Sequence, residues 1–346
     1  MSLDLFETRK MLAALEQRKP PRSFLLDTFF SVSETFDTEH VDIDIWKGKR
    51  RLAPFVSPKK EGKIVENLGY KTRSYKPPYI KPKKVTTAED ILKREMGQHI
   101  YGSNMSPMQK AAQRLGKDLA ELDDMIIRRE EWMAAQVLTT GKIRCQGDGV
   151  DETLDFLMES SHLPVLSGNA MWSASSTAKP LQNLRDWKRM IAKDSGVNPT
   201  DVIMSPDVYD AMLYTDEVKG TNNLFDNRRI MLGQIEPRDV GGGVTYIGRI
   251  TELGLDLWTY EEWYVDEFDG NTEKPMIPEG KLIMGSPNAY TRRLYGAIKD
   301  LKSIGAVRRF PKSWEVEDPS ARFVMVQSAP IIALHQVDAF VCATVK

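Results

Sequence analysis

The sequence predicts an α+β fold, on three observations. Residues 107 to 138 repeat apolar side chains every three or four positions, the pattern of one long helix. Several separate runs read as strands, beginning with the alternation Val41, Ile43, Ile45. From residue 181 onward helical and strand patterns mix, with no internal repeat. At 346 residues the chain exceeds the usual single-domain size, so two or three substructures with at least one sizeable core are expected. A hydrophobic content of 41% and an aromatic content of 9% exclude a disordered chain.

Thr8 to Arg18 places Met11, Leu12 and Leu15 at helical spacing and stops at Lys19-Pro20-Pro21. Phe24, Leu25, Leu26, Phe29, Phe30 and Phe36 follow as a dense apolar cluster close to a chain end. Such a cluster is expected to dock on something, which makes Phe24, Phe29 and Phe30 candidate interface residues.

Between Lys47 and Lys84 stand 13 Lys or Arg against Glu61 and Glu66, a local net charge of +11 in a chain whose formal net charge is -1. Such a stretch repels itself when isolated, so it implies an oppositely charged partner, either nucleic acid or another protein surface. Alternation in Tyr70-Lys71-Thr72-Arg73-Ser74-Tyr75-Lys76, with breaks at Pro54, Pro58, Gly62, Gly69, Pro77, Pro78 and Pro82, predicts an extended hairpin. Folded once, it would reach up to about 60 Å, beyond the roughly 50 Å breadth of a compact body of this length. It has too few apolar residues for a core of its own, and an isolated hairpin is marginal in water. It therefore needs a neighbour, with Lys49, Arg50, Arg51, Lys59, Lys60, Lys63, Lys71 and Arg73 as candidate contact residues. Acid is concentrated too: Thr251 to Glu273 holds eight Asp or Glu and no Lys or Arg. Glu261, Glu262, Asp266 and Glu267 are the candidate counterparts.

Ser106-Pro107-Met108-Gln109 has the spacing of a capped helix start, and Gly141 offers the stop. Met108, Ala112, Leu115, Leu119, Leu122, Ile126, Met133 and Val137 form one apolar stripe, broken at Arg129. Arg114, Lys117, Asp118, Glu121, Asp124, Arg128 and Glu131 fill the other sides, predicting a one-faced helix about 48 Å long packed along a sheet or body. Asp148 to Lys179 reads as a loop region with local structure. A helix is predicted around Leu181 to Lys193, then a strand at Val202-Ile203-Met204 and a helix from Ser205-Pro206. Strands are predicted at Val244 to Ile250, Leu255 to Val265, Lys281 to Met284, Arg322 to Leu334 and Ala339 to Val345.

Chemistry is hard to place. His40, His99, His162 and His335 are scattered, with no pairing at metal-ligand spacing. None of the five Gly-Lys dipeptides continues to Ser or Thr as a phosphate loop requires. Gly241-Gly242-Gly243 precedes a strand and reads as a flexible loop, and Asp269-Gly270-Asn271 reads as a hairpin turn. No catalytic constellation or cofactor site is expected. Only Cys145 and Cys342 are present, which excludes a disulfide framework, and there is neither a signal-like N-terminus nor a membrane-length apolar run. A soluble intracellular product with no membrane partner is the expectation.

The C-terminal third carries a more specific pattern: Arg309-Phe310-Pro311-Lys312-Ser313-Trp314, then Asp318-Pro319, then Phe323-Val324-Met325-Val326-Gln327-Ser328-Ala329-Pro330. With Arg293-Leu294-Tyr295-Gly296-Ala297-Ile298-Lys299-Asp300, Val56-Ser57-Pro58, Tyr75 to Lys83 and Phe36 to Val41 in the same order, the chain closely resembles the lambda-type phage major capsid proteins of the capsid protein E family. The resemblance implies a Hong Kong 97-type phage capsid fold. It places an N-terminal arm at 1–45, an extended loop at 46–84, a peripheral domain at 85–180 with a spine helix at 107–138, an axial domain at 181–290, and strands returning to the sheets at 291–346. It implies a structural protein, not an enzyme, that assembles with itself as hexamers and pentamers into an icosahedral shell enclosing double-stranded DNA without reading its sequence. A portal and a decoration protein are implied as partners. The lack of a long segment before the arm adds the expectation of a separate scaffolding protein. The expected location is the virion, with host cytoplasm during assembly. A shell of the same fold enclosing enzyme cargo is the alternative.

Overall fold

A computed structural model of the protein describes residues 6–18, 23–46, 52–62, 64, 70–87, 107–147, 149–223, 238–266, 269–301, 306–318 and 320–346. In chain order the first half contains α1 (Thr8–Gln17), α2 (Phe24–Phe29), β1 (Ser33–Thr35), β2 (Val41–Trp46), β3 (Tyr70–Tyr75), β4 (Lys83–Thr87), α3 (Pro107–Thr140), β5 (Lys142–Gly147) and β6 (Val150–Asp155). The second half opens with α4 (Pro180–Asp194), β7 (Asp201–Met204), α5 (Pro206–Leu213), α6 (Asp216–Asn223), β8 (Arg238–Gly241), β9 (Val244–Ile250), β10 (Leu255–Tyr260), β11 (Trp263–Asp266) and β12 (Thr272–Pro275). It closes with β13 (Lys281–Gly285), β14 (Thr291–Tyr295), β15 (Phe310–Val316), β16 (Ala321–Gln327), β17 (Pro330–Leu334) and β18 (Val341–Thr344).

The largest sheet runs β18-β13-β7-β10-β9-β8, antiparallel except where β10 pairs parallel to β7. Strand periodicity divides its side chains between two cores. Val202, Met204, Leu282, Met284, Val341 and Ala343 face a core closed by Leu184, Trp187 and Ile191 of α4 and Val208 and Met212 of α5. The intervening Ile203, Ile283 and Cys342 face the core that α2, β2 and the end of α3 share. A sheet covered on both sides needs apolar residues at consecutive positions, which explains the unbroken run Val202-Ile203-Met204.

The 34 residues of α3 span about 51 Å. Gly141 terminates the helix with φ +67°, its N–H donating to the Val137 carbonyl at 2.9 Å, the left-handed cap that glycine makes without strain. The one-faced pattern holds only for its first half, where Leu115, Leu119, Leu122 and Ile126 pack with Met11 and Leu15 of α1 and with Val324 and Val326 of β16. From Glu130 onward the helix enters the main core and buries nearly every side, including Glu130 and Glu131. Glu131, placed on the charged sides from the sequence, is therefore buried, and so is Asp118 in the first half of the helix.

Other expectations change in detail. The stretch 148–179, read as a loop region with local structure, begins with β6, which pairs with β5 in a hairpin with Ile143 and Leu154 in the core. The three glycines at 241–243 form no flexible loop. All have φ between +68° and +87° and turn β8 tightly into β9, and a Cβ on Gly243 would overlap the Glu261 carbonyl. The hairpin turn at 269–271 is present, with Gly270 and Asn271 both left-handed between β11 and β12.

Candidate functional site

The basic stretch is rooted on a ribbon. β2 and β3 pair antiparallel from Val41 opposite Tyr75 to Trp46 opposite Tyr70. Val41, Ile43 and Ile45 point one face of the ribbon into the core, as their alternation requires. Arg73 Nη1 and the Tyr75 hydroxyl both donate to the Asp155 carbonyl, at 3.2 and 2.6 Å, and tie the ribbon to β6. Past the ribbon the chain returns at once to the body. Pro77 packs tightly against Gly296, Ile80 bridges Ser328, and β4 pairs with β16. The stretch between the paired strands is thus shorter than 46–84, since 47 to 69 is 23 residues.

This return divides the charge. Lys76 pairs with Glu39 at 2.9 Å, and Lys299 also pairs with that carboxylate; together they hold it well below the usual carboxylate range. Lys84 reaches Asp118 at 3.2 Å and also Glu121, both on α3. Lys83 and Lys81 lie over the rings of Phe323 and Tyr79. The cations after β3 therefore serve the chain itself, and Arg73 acts at the root. Lys71 is exposed on β3, and Lys59 and Lys60 are exposed at a turn closed by Lys60 N–H on the Ser57 carbonyl. Lys49, Arg50, Arg51 and Lys63 lie outside the described residues.

Apolar side chains accompany these cations. Leu52, Phe55 and Ile64 are 97%, 107% and 93% exposed, and Val56 is exposed beside them. Nothing in the composition of the basic run had drawn attention to them, although they are visible in it as the large apolar residues between the prolines.

The acidic segment resolves into three environments. Glu252 pairs with Arg185, and Asp256 accepts from Tyr246, so both act locally. Asp266 and Asp269 enclose Lys274 at 2.8 and 2.7 Å across the β11–β12 hairpin, and Glu262 accepts the Tyr260 hydroxyl at 2.8 Å. Glu261 and Glu273 are exposed at the rim of that hairpin, and Glu267 lies outside the described residues.

Phe29 and Phe30 cannot serve as interface residues in the way their sequence position suggested. Both are fully buried in the chain's own core, Phe29 edge-on to Phe340 at 5.3 Å. Phe24 is half-buried, with its ring 5.3 Å from Trp258 and 5.9 Å from Tyr260. The terminal cluster docks, and what it docks on is this same chain.

Two buried polar clusters on α3 escaped the sequence. Glu131 accepts the Leu25 and Leu26 N–H groups at 2.7 and 3.0 Å and the Tyr260 hydroxyl at 3.1 Å. One carboxylate thereby joins α2, α3 and β10, and burial pushes it up to about 7 despite those donors, with Glu262 adding to the rise. Arg309 forks onto Glu130 at 2.8 and 3.0 Å, and also donates to Asp123 and to Ser328. Arg18, at the end of α1, reaches Asp123 and Asp124 of the same helix. The helix is an acidic spine to which α1, α2, β4 and the residue preceding β15 are all fastened.

Among the described residues no group of three His, Cys, Asp or Glu is placed to hold a metal ion, and no helix is long and apolar enough to cross a membrane. What the arrangement offers is an anchored, amphipathic basic loop and an acid-rimmed hairpin, suited to multipoint contact with another macromolecule.

Comparison with known proteins agrees in kind. The family profile described as Phage major capsid protein E matches residues 7–345. The P21 prophage-derived major head protein of Escherichia coli O6:H1 is 29% identical over 354 residues, covering 99% of this chain and all of the relative. The major capsid protein of Escherichia phage lambda is 26% identical over 352 residues, covering 98% of each. A crystal structure of a prophage capsid protein from E. coli CFT073 superposes with a TM-score of 0.74 at 20% identity, covering 98% of this chain and 99% of that one. The mature capsid subunit of bacteriophage PhiM1 superposes with a TM-score of 0.52 at 11% identity, covering 95% of this chain and 88% of that one.

Proposed function

The chain belongs to the phage major capsid protein E family, and on that premise we propose that it is the subunit of the icosahedral head shell of a tailed double-stranded DNA phage. The match across residues 7–345 carries this reading, because it spans nearly the whole chain and not one segment of it. The loop gives it a physical means. Leu52, Phe55 and Ile64 gain cover only when another surface arrives. Each exposed ion pair made by Lys59 or Lys60 contributes only about 0.2–1 kcal/mol. A closed shell multiplies such contacts, so weak interfaces that can rearrange during assembly still sum to a durable container.

The reading includes hexameric and pentameric clusters of this chain, a separate scaffolding protein, a portal and a decoration protein as partners, assembly in the host cytoplasm, and DNA held without sequence recognition. The role is mechanical and involves no catalysis. The test is nuclease protection: particles purified from lysed host cells should shield genome-length DNA from added nuclease and release it on heating. Particles that contain a defined protein cargo and no protected DNA would refute the phage-head reading in favour of a nanocompartment.

A further inference from the structure

The apolar stripe of α3 breaks at Arg129, and two grooves meet at the break. One, of about 440 Å³, opens between α3, residues 78–81 and the β5–β6 hairpin. The other, of about 380 Å³, lies between α3 and β11. Arg129 and Trp132 line both, so the two recesses share a wall. The Arg129 guanidinium lies over the Trp132 ring, 5.2 Å from its centroid, and Tyr264 meets the same ring edge-on at 6.2 Å. Tyr79, in the larger groove, is fixed by its hydroxyl, which donates to the Ala297 carbonyl at 2.9 Å and accepts the Lys299 N–H at 3.2 Å. Helix, hairpin and tyrosine thus hold the walls in place before anything arrives, which lowers the ordering cost of binding.

The charge of this depression is one-sided. Lys81, Arg129 and Arg144 line the larger groove with no carboxylate among them, and Arg128 joins them in the smaller one. Arg144 makes only an exposed pair with Asp151 at 3.7 Å, which holds it weakly. The one acid of the smaller groove, Glu262, already accepts the Tyr260 hydroxyl. Apolar side chains stand among the cations: Met125, Trp263 and Val265 are exposed at one end and Val150 at the other. The Trp132 indole N–H is buried with no acceptor, so a slight turn of that ring toward an incoming carboxylate gains a hydrogen bond that the free chain lacks. We propose that the depression seats a short acidic segment of a second protein, with one large apolar side chain beside Trp132 and flanking carboxylates on Arg128, Arg129 and Arg144. Double-stranded DNA fits less well, because cations alone satisfy its phosphates and the apolar rim would stay wet. A basic segment of another copy, the extended loop included, meets like charge here. The partner is a protein other than this chain, and the contact holds whether or not the chain forms shells.

Fluorescence anisotropy on the unassembled 346-residue chain tests this, with a labelled peptide of Asp and Glu around one central Leu as the probe. Binding should saturate and should weaken as salt rises. Arg129→Gln with Arg144→Gln should lower affinity by about tenfold or more, and replacing the peptide's Leu by Ser should cost a similar factor. Trp132→Phe keeps an aromatic ring and removes the N–H, and should lower affinity roughly fivefold. Arg189→Gln with Lys193→Gln removes as much charge from the exposed side of α4 and should leave the peptide bound as in the wild type. No saturable binding, equal weakening by the α4 pair, or equal binding of the Leu-free peptide overturns the site. Duplex DNA that displaces the peptide at matched charge makes this a nucleic-acid surface and overturns it too. A peptide that binds the subunit and is shut out of assembled shells assigns the depression to a neighbouring copy, with the same result. A chain that binds the peptide yet forms no shells leaves this contact standing and overturns the shell reading alone.

Discussion

Replacing Glu131 by Gln should abolish a pH dependence built into the attachment of the N-terminal arm. The wild-type carboxyl sits at about 7 instead of its ordinary 4.5, chiefly through burial. A folded-state pKa raised above the unfolded one means that the docked state binds the proton more tightly, so docking is strongest below about pH 4.5 and weakens as pH rises through 7. The shift of 7 minus 4.5, or 2.5 units, is worth about 3 kcal/mol in full, of which about 2.5 kcal/mol falls between pH 5 and pH 8. Releasing α2 rehydrates the carboxylate, so the local opening equilibrium reports this difference. Hydrogen exchange of the peptide spanning residues 23–30, corrected for intrinsic rates, should lose protection by roughly 70-fold from pH 5 to pH 8 in the wild type. In Glu131→Gln the same peptide should show no such slope, because the buried group no longer titrates. Equal protection at both pH values in the wild type, or an undiminished slope in the variant, would refute the argument that burial of Glu131 dominates the anchorage.

Three further outcomes follow from the packing. Arg309→Leu leaves Asp123 and Glu130 buried without their cation and should destabilise the chain by roughly 3–5 kcal/mol in thermal melting; Arg309→Lys should recover only part, since it cannot fork onto Glu130. Gly243→Ala forces a side chain into left-handed backbone against the Glu261 carbonyl, and should cost about 2 kcal/mol or more in denaturant unfolding. Leu52→Ser with Phe55→Ser removes side chains that stand almost fully exposed. Melting of the unassembled protein should stay within about 0.5 kcal/mol of wild type, while shell yield falls in sedimentation.

The sequence made the long helix legible because its period persists over many turns, and its last residue, Thr140, directly precedes Gly141, the expected stop. It could not show that the helix from Glu130 onward is buried on nearly every side. Glu130 and Glu131 look like ordinary solvent-facing charges until Arg309, distant in sequence, and α2 are brought against them. Strands β7, β9, β10, β13 and β18 of the central sheet were readable as apolar runs, but β8, β14 and β15 were not. Thr291 to Tyr295 and Phe310 to Val316 mix charged and apolar residues because each presents a face to polar surroundings. Charge segregation found the loop and overstated it. Summing +11 over 47–84 treats Lys76 and Lys84 as free, whereas Glu39, Asp118 and Glu121 neutralise them within the chain. The apolar half of the loop's chemistry, Leu52, Phe55 and Ile64, was hidden because three hydrophobic residues in a basic run resemble noise until their exposure is seen. Phe29 and Phe30 erred the opposite way, since a cluster near a chain end can complete the core of its own chain as readily as it meets a neighbour.

Electron microscopy of particles formed by the purified 346-residue chain should show closed icosahedral shells in which each subunit's loop leaves the β2–β3 ribbon and lies on an adjacent copy. A chain that remains monomeric under conditions that assemble its 29%-identical P21 relative, or that forms particles with every loop folded onto its own subunit, would contradict it.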